Sequence, residues 1–191
     1  TRRSRASPAS GPTASRARFA ARAGRGDIVR AVPALERLHH DPTLTVYALG
    51  NLCIAVWRDA PKKGQVAMVQ HSFFSQAGKH GHLALVNLIV SGTPNFTEDT
   101  RQEAKALQHD KRGKIHATAY VILVGGFAGA ATRAFISGVT LLTRTKSHTR
   151  VFADIPSSVR WLEGEIPKVP GVSWRIGELL ENLVRAAATP P

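Results

Sequence analysis

The residues that could do chemistry in this chain are few, and most of them lie beside glycine. Gly125-Gly126-x-x-Gly129 follows the apolar run Ala119-Tyr-Val-Ile-Leu123, a spacing that invites a phosphate cradle between a strand and a helix. A dinucleotide site needs Gly-x-Gly-x-x-Gly in the first strand-to-helix turn and an acid some 20 residues later. Here the glycines come after the fourth predicted strand, and Asp154 lies beyond the next one. A P-loop would need Gly-Lys-Ser/Thr, which the turn does not contain. What remains is a helix N-terminus whose free N–H groups face the carboxyl edge of a sheet, with Gly125, Gly126 and Arg133 as candidate contacts to a small anion. Arg133 lies about 10 Å further along the helix axis and joins that site only if its side chain folds back. The small residues Gly126, Gly129, Ala130, Ala131 and Ala134 point first to close packing of the helix, then to a partner or homo-oligomer surface, and last to an anion.

Other constellations are weaker. His80-Gly81-His82, with His71 a few turns away, offers imidazoles but no acid, and Cys53 belongs to a different element. A zinc site needs three or four convergent ligands, so the expectation is no metal and no cofactor. There is no Gly-x-Ser-x-Gly elbow, and Ser72, Ser75 and Ser137 sit within helical patterns. Acids number thirteen against 26 Lys and Arg, and Asp99, Asp110 and Asp154 fall near helix ends, where capping explains them. No catalytic residue can be nominated. The expected role is therefore non-enzymatic.

These residues need elements to hold them. Ile28, Val32, Leu35 and Leu38 have helical spacing, so a short helix is expected within 27–42, ended by Asp41-Pro42. Thr43–Tyr47 and Leu49–Arg58 read as strands joined at Gly50-Asn51, residues that tolerate the positive φ of a tight hairpin. Gln65–Lys79 reads as an amphipathic helix, with Val66, Val69, Phe73, Phe74 and Ala77 on one side. His82–Val90 is a short, almost wholly apolar strand of the kind covered on both faces. Thr97 can cap a polar helix from Glu98 to Arg112, which Gly113 ends. Lys114–Val124 is a second buried strand, Phe127–Thr143 a long apolar helix and His148–Phe152 a last strand. A helix opens at Ile155-Pro156-Ser157. Alternation of strands and helices predicts an α/β fold, β-β-α-β-α-β-α-β-α, with a mixed sheet of about five strands and one antiparallel strand from the hairpin. Pro167 and Pro170 mark a linker. Beyond it a C-terminal amphipathic helix, carrying Ile176, Leu179, Leu180, Leu183 and Val184, must pack on the domain or on another chain.

The organisation expected is a basic arm over 1–26, a short helix and linker over 27–42, an α/β domain over 43–164, and a linker with a C-terminal helix over 165–191. Residues 1–40 hold nine Arg against two acids, and the arm over 1–26 is too poor in apolar residues to offset its ordering entropy. The arm reads as a disordered tail, with nucleic-acid association as an alternative because Arg-rich segments meet phosphate. From Ala117 to Thr143 the only charge is Arg133, but Gly125-Gly126 divides the run and its first half is β-branched, so no membrane span is expected. The single Cys53, in an apolar run, fits a buried thiol and a reducing, cytoplasmic setting.

Four segments together resemble a STAS-type domain, the fold of anti-sigma-factor antagonists, in its divergent bacterial single-domain form. They are Leu49-Gly50-Asn51-Leu52, then Gly126-Phe127-x-Gly129-Ala130-x-x-Arg133, then Arg150-Val151-Phe152-Ala153, and Val159-Arg160-Trp161-Leu162. The resemblance spans residues 43–164 and implies a regulatory or scaffolding module that binds a protein partner. Regulatory members carry an Asp-Ser pair after the third strand, whose Ser a kinase phosphorylates. The corresponding segment here is Val90-Ser91-Gly92-Thr93-Pro94, which departs from that pattern in having no Asp and a helix delayed to Glu98; a structural loop is the first reading, and Ser91 or Thr93 the candidate phosphoacceptor that the resemblance implies. A module for a small anionic or lipid-like ligand at the carboxyl edge of the sheet is the alternative function, and nucleic-acid association the second.

Overall fold

A computed structural model describes residues 34–92, 97–100, 102–103, 115–143, 148–166 and 176–189. The chain divides after Val32, and all of these residues belong to the unit Pro33–Pro191. That unit is an α/β fold built on a six-stranded mixed sheet in the order β1-β2-β3-β4-β5-β6. The strands are β1 (Glu36–His40), β2 (Leu44–Leu49), β3 (Leu52–Trp57), β4 (Leu83–Ile89), β5 (Ile115–Ile122) and β6 (His148–Phe152). The helices with defined bounds are α1 (Gln65–His80), α2 (Gly126–Thr143), α3 (Ile155–Glu165) and α4 (Ile176–Ala188). Residues 98–100 and 102–103 are also helical, between β4 and β5, where the polar helix was expected.

Spatial order follows chain order because each strand joins its neighbour directly or through one helical crossover. β1 and β3 pair antiparallel with β2, and β3 to β6 pair in parallel. β2 is therefore the one strand that runs against the others, as the hairpin at Gly50-Asn51 demands. Gly50 has φ 58°, a left-handed value that glycine adopts without steric cost.

The helix expected across Ile28–His40 is corrected at its second half: Glu36–His40 is a strand on the edge of the sheet. Leu35 and Leu38 are three residues apart, which on a helix places them on one stripe. On this extended chain they serve opposite faces, Leu35 packing on the core under α3 and α4 and Leu38 on the core under α1. A sheet covered on both sides accepts either face, so the spacing that mimics a helix is equally good for β1. The sheet consequently has six strands rather than about five. Asp41-Pro42 is the turn between β1 and β2, where Asp41 Oδ1 accepts the amides of Thr43 at 2.7 Å and Leu44 at 2.8 Å. Residues 1–33, including the Arg-rich arm, lie outside the described residues.

Two cores sandwich the sheet. On one side Cys53, Ala55, Leu83 and Leu85 meet Val66, Val69, Phe73 and Ala77 of α1. On the other, Leu52, Ile54, Val86, Leu88, Ala119 and Val121 meet α3 and α4 through residues such as Leu162 and Leu183. Side chains of a strand alternate faces, so continuous apolar runs such as Leu83–Ile89 are what a doubly covered sheet requires. Asn87 interrupts that run, and its Oδ1 accepts the Trp57 indole N–H at 3.2 Å, so the polar group is satisfied between strands. Burial pushes the Cys53 thiol up to about 12, despite the opposing pull of Lys79. A thiol that stays protonated at neutral pH is no nucleophile.

The C-terminal helix packs on the domain. Leu179, Leu183 and Ala186 of α4 are fully buried in the core beside α3, while Val184, expected on the same side, is 48% exposed. Arg58, just past β3, clamps its end by donating to the carbonyl of Thr189. A guanidinium at a helix C-terminus also complements the helix dipole. The same Arg58 donates to Thr45 Oγ1 at 2.8 Å, and Thr45 is bonded to His40 Nδ1 at 2.9 Å. One chain of hydrogen bonds thus joins β1, β2, β3 and the end of α4. Among the described residues no helix is long and apolar enough to cross a membrane. The run from Ala117 to Thr143 is β5 followed by α2.

Candidate functional site at the carboxyl edge of the sheet

β3, β4 and β5 end side by side, and backbone bonds hold those ends in register. The Val90 amide donates to the Trp57 carbonyl at 2.9 Å, and the Leu123 amide to that of Ile89 at 2.8 Å. Two groups of candidate residues hang from this edge, one after β4 and the other after β5.

After β4, Ser91 is exposed, and its hydroxyl donates to the carbonyl of Arg58 at 2.7 Å. Gly92 follows at φ +88°, and a Cβ there would stand 2.6 Å from Asp59 Cα. Only glycine fits both the backbone angle and the space. The loop after β4 is therefore braced against the loop after β3, and Ser91 is presented on a fixed support. Thr93 lies outside the described residues. Below this point Lys63 pairs with Asp99 at 3.2 Å, and Glu103 Oε1 accepts the Gly64 amide at 2.9 Å. α1 has no acidic residue in its first turn, so the Glu103 carboxylate supplies the anion that a helix N-terminus favours.

After β5, Gly125 and Gly126 are exposed and α2 begins at once. Arg133 folds back along the helix, its Nη1 donating to the carbonyl of Ile122 at 3.4 Å. The charge that seemed two turns too distant thus returns to the end of β5. Gly129 shows why the helix start is glycine-rich: a Cβ there would lie 1.8 Å from the Val124 carbonyl oxygen and 3.2 Å from Arg133 Nη1. Close approach of helix to strand end is the requirement at Gly129, whereas Gly126 answers a left-handed φ of 64° and a Cβ at Gly125 would meet nothing within 4 Å. Hydrogen bonds tie Ser91 to Arg58 and Arg133 to Ile122. The two groups share an edge, each with its own anchors.

A third cluster was invisible in the sequence. At the opposite edge, His148 Nδ1 lies 2.9 Å from Glu165 Oε2, and His116 Nε2 lies 3.8 Å from the same oxygen. Glu165 is buried at the end of α3, and the two imidazole rings are 5.8 Å apart between centroids. These residues are up to 49 positions apart; the pairing of Ala117 with His148 brings the two histidines together, and the end of α3 adds Glu165. The histidines that the sequence did single out, His71, His80 and His82, are all exposed around α1 and the turn after it. Among the described residues no group of three His, Cys, Asp or Glu side chains is arranged to hold a metal ion.

Acids that might have served as bases are engaged in structure. Asp154 caps α3, accepting the Ser157 amide at 2.7 Å and its hydroxyl at 2.9 Å, which together lower its pKa. Asp41 is more tightly held. Burial alone would raise its pKa, but bonds from Gln65, the Thr43 amide, His39 and the Thr43 hydroxyl outweigh it and bring the carboxyl well below its ordinary 3.8. Comparison with protein-family models, curated proteins and solved structures finds no match for this chain.

Proposed function

We propose that the chain is a non-enzymatic regulatory or scaffolding module of STAS-like type, acting by recognition of another protein at the carboxyl edge of its sheet. The order of elements from β2 onward supports this reading, since it is the order that the resemblance implies. The observation that carries it is the braced loop at Ser91: an exposed hydroxyl on a support fixed by the Arg58 carbonyl and the Gly92–Asp59 contact. A fixed polar loop presents one shape to a partner and loses little freedom on binding. Phosphorylation of Ser91 would remove the donor to Arg58 and add about two negative charges next to Asp59. The partner-binding face would then change in both charge and shape. The test is capture of partners on the immobilised full chain as wild type, Ser91→Ala and Ser91→Asp. Loss of the same protein from the Asp variant alone supports the reading. Capture of nothing by any form, together with turnover of a metabolite by the pure protein, sinks it.

The folded-back Arg133 favours a second reading, a small anionic ligand at the start of α2. Its guanidinium lies close to Gly129 and adds positive charge to the free amides of Gly125 and Gly126. Titration of the full chain with inorganic phosphate, followed by amide NMR, should shift those glycines and leave them unmoved in Arg133→Ala. Unperturbed glycines at millimolar phosphate would remove this reading.

A further inference from the structure

The sheet ends on β1 at one side and on β6 at the other, and the two edges are built differently. β1 breaks register with β2 between Arg37 and His39, and an irregularity of that kind bends an edge strand away from further pairing. β6 pairs in unbroken register with β5 from His148 to Phe152. It contains no proline and no acid, and the side chains of His148 and Arg150 are exposed. A strand paired on one side only presents outward amide and carbonyl groups at every second residue. Glu165 answers His148 at 2.9 Å. Arg150 has no such answer: its guanidinium lies over the Phe152 ring, 5.9 Å from the centroid, and pairs with no carboxylate among the described residues. Trp161 of α3, half-buried, tilts against the same ring at 5.5 Å. Arg150, Phe152 and Trp161 thus form a row beside the edge, on the α3 side of the sheet.

We propose that β6 is a docking edge for an extended acidic segment of another protein, which joins the sheet as a further strand with a carboxylate opposite Arg150. Main-chain bonds supply the affinity, and the row on the α3 side supplies the choice of sequence. Side chains of a strand alternate, so the residue facing Arg150 shares that side with the residues two before and two after it. An acid with apolar neighbours at those positions meets the guanidinium and the Phe152–Trp161 pair together. Arg and Trp are residue types that carry much of the binding energy at interfaces. Charge decides between occupants. Two copies of β6 paired about a two-fold axis at the middle of the strand set Arg150 against Arg150, and like charges directly opposite are destabilising. The chain's own N-terminal part fits no better, with nine Arg against two acids over residues 1–40. A protein of net charge +13 instead draws an acidic partner from a distance. This edge is separate from the Ser91 loop, so it adds a contact surface to the reading above without depending on it.

The probe is the peptide Glu-Thr-Ile-Thr-Glu-Thr-Ile-Thr-Glu with blocked ends. It reads the same in both directions, so it offers a central acid flanked by isoleucines to either strand orientation. Amide NMR of the full chain at rising peptide concentration should shift residues of β6 and slow hydrogen exchange at alternate ones. Two controls separate strand addition from general attraction to a basic protein. Proline in place of the two threonines that flank the central glutamate removes amide donors and should abolish the shifts at unchanged charge. Lysine in place of the glutamates should abolish them as well. Arg150→Glu should weaken the parent peptide about fivefold or more and should bind the lysine peptide in exchange, a reversal that an unfolded variant cannot give. Exposure of Arg150 means that this variant should keep the wild-type circular dichroism and Tm. A peptide that shifts no β6 amide at millimolar concentration overturns the proposal. So does equal binding of the proline peptide, or equal binding of the parent peptide to Arg150→Glu. A chain that dimerises through β6 by itself, seen as concentration-dependent shifts of those amides without peptide, assigns the edge to a second copy and overturns it too. Each of these failures leaves capture at Ser91 untouched.

Discussion

α2 and α4 are both rich in apolar residues, and the sheet treats them differently. α4 alternates its character: Leu179, Leu183 and Ala186 are buried completely while Glu181 and Arg185 are exposed. Its sequence thus specifies one seat, and the core beside α3 supplies it. α2 turns polar residues inward instead, with Thr132 buried and Arg133 bonded to the Ile122 carbonyl, and the backbone contact at Gly129 fixes its close approach. The side left over is apolar and faces outward. α4 carries its docking instruction in its own apolar stripe, whereas α2 is seated by a local steric fit at Gly129 and by the few polar groups it turns inward.

Substitutions can break or sharpen this contrast. Leu183→Ala should have the largest effect, a loss of about 3 kcal/mol in chemical denaturation, because a fully buried leucine leaves a cavity. Equality with an exposed site would mean that α4 does not pack as seen. Gly129→Ala should cost about 2 kcal/mol, since the new methyl meets a backbone oxygen that has little room to move. A neutral result would show that the start of α2 is looser than the Val124 contact requires. Asp41→Ala should cost about 1 kcal/mol through loss of the bonds to Thr43, Leu44 and Gln65. Because the folded carboxyl sits below its unfolded value near 3.8, its contribution is whole above that pH and is lost as pH falls through the folded value. The wild type should therefore lose its advantage over the Ala variant in acid, and a gap independent of pH would contradict the assignment. Phe127→Ala should be smallest, within about 0.5 kcal/mol in Tm-based stability, because the ring is 90% exposed. A large loss of stability there would mean that the ring is covered within its own chain.

The glycine turn that first suggested a phosphate site shows how far local reading carries. Its position between strand and helix was legible, as were the hairpin at Gly50-Asn51 and the cap at Asp154. Turn and cap chemistry acts over a few residues, so it is written in a few residues. Arg133 was legible only as a conditional contact, because spacing does not say whether a flexible side chain folds back on its own helix. His116, His148 and Glu165 left none either; their meeting depends on which strands become neighbours.

By itself the sequence determined the α/β class, the alternation of strands and helices from β2 onward, and the identity of the turns, since hydrophobic period and turn chemistry are local properties. Tertiary structure decided that Glu36–His40 extends the sheet instead of coiling. Spacing by three serves a helix stripe and a doubly covered strand equally, and the open edge of β2 settled between them. It also decided which side of α2 meets the sheet and which meets solvent, because the steric contact at Val124 exists only once β5 and α2 are in place.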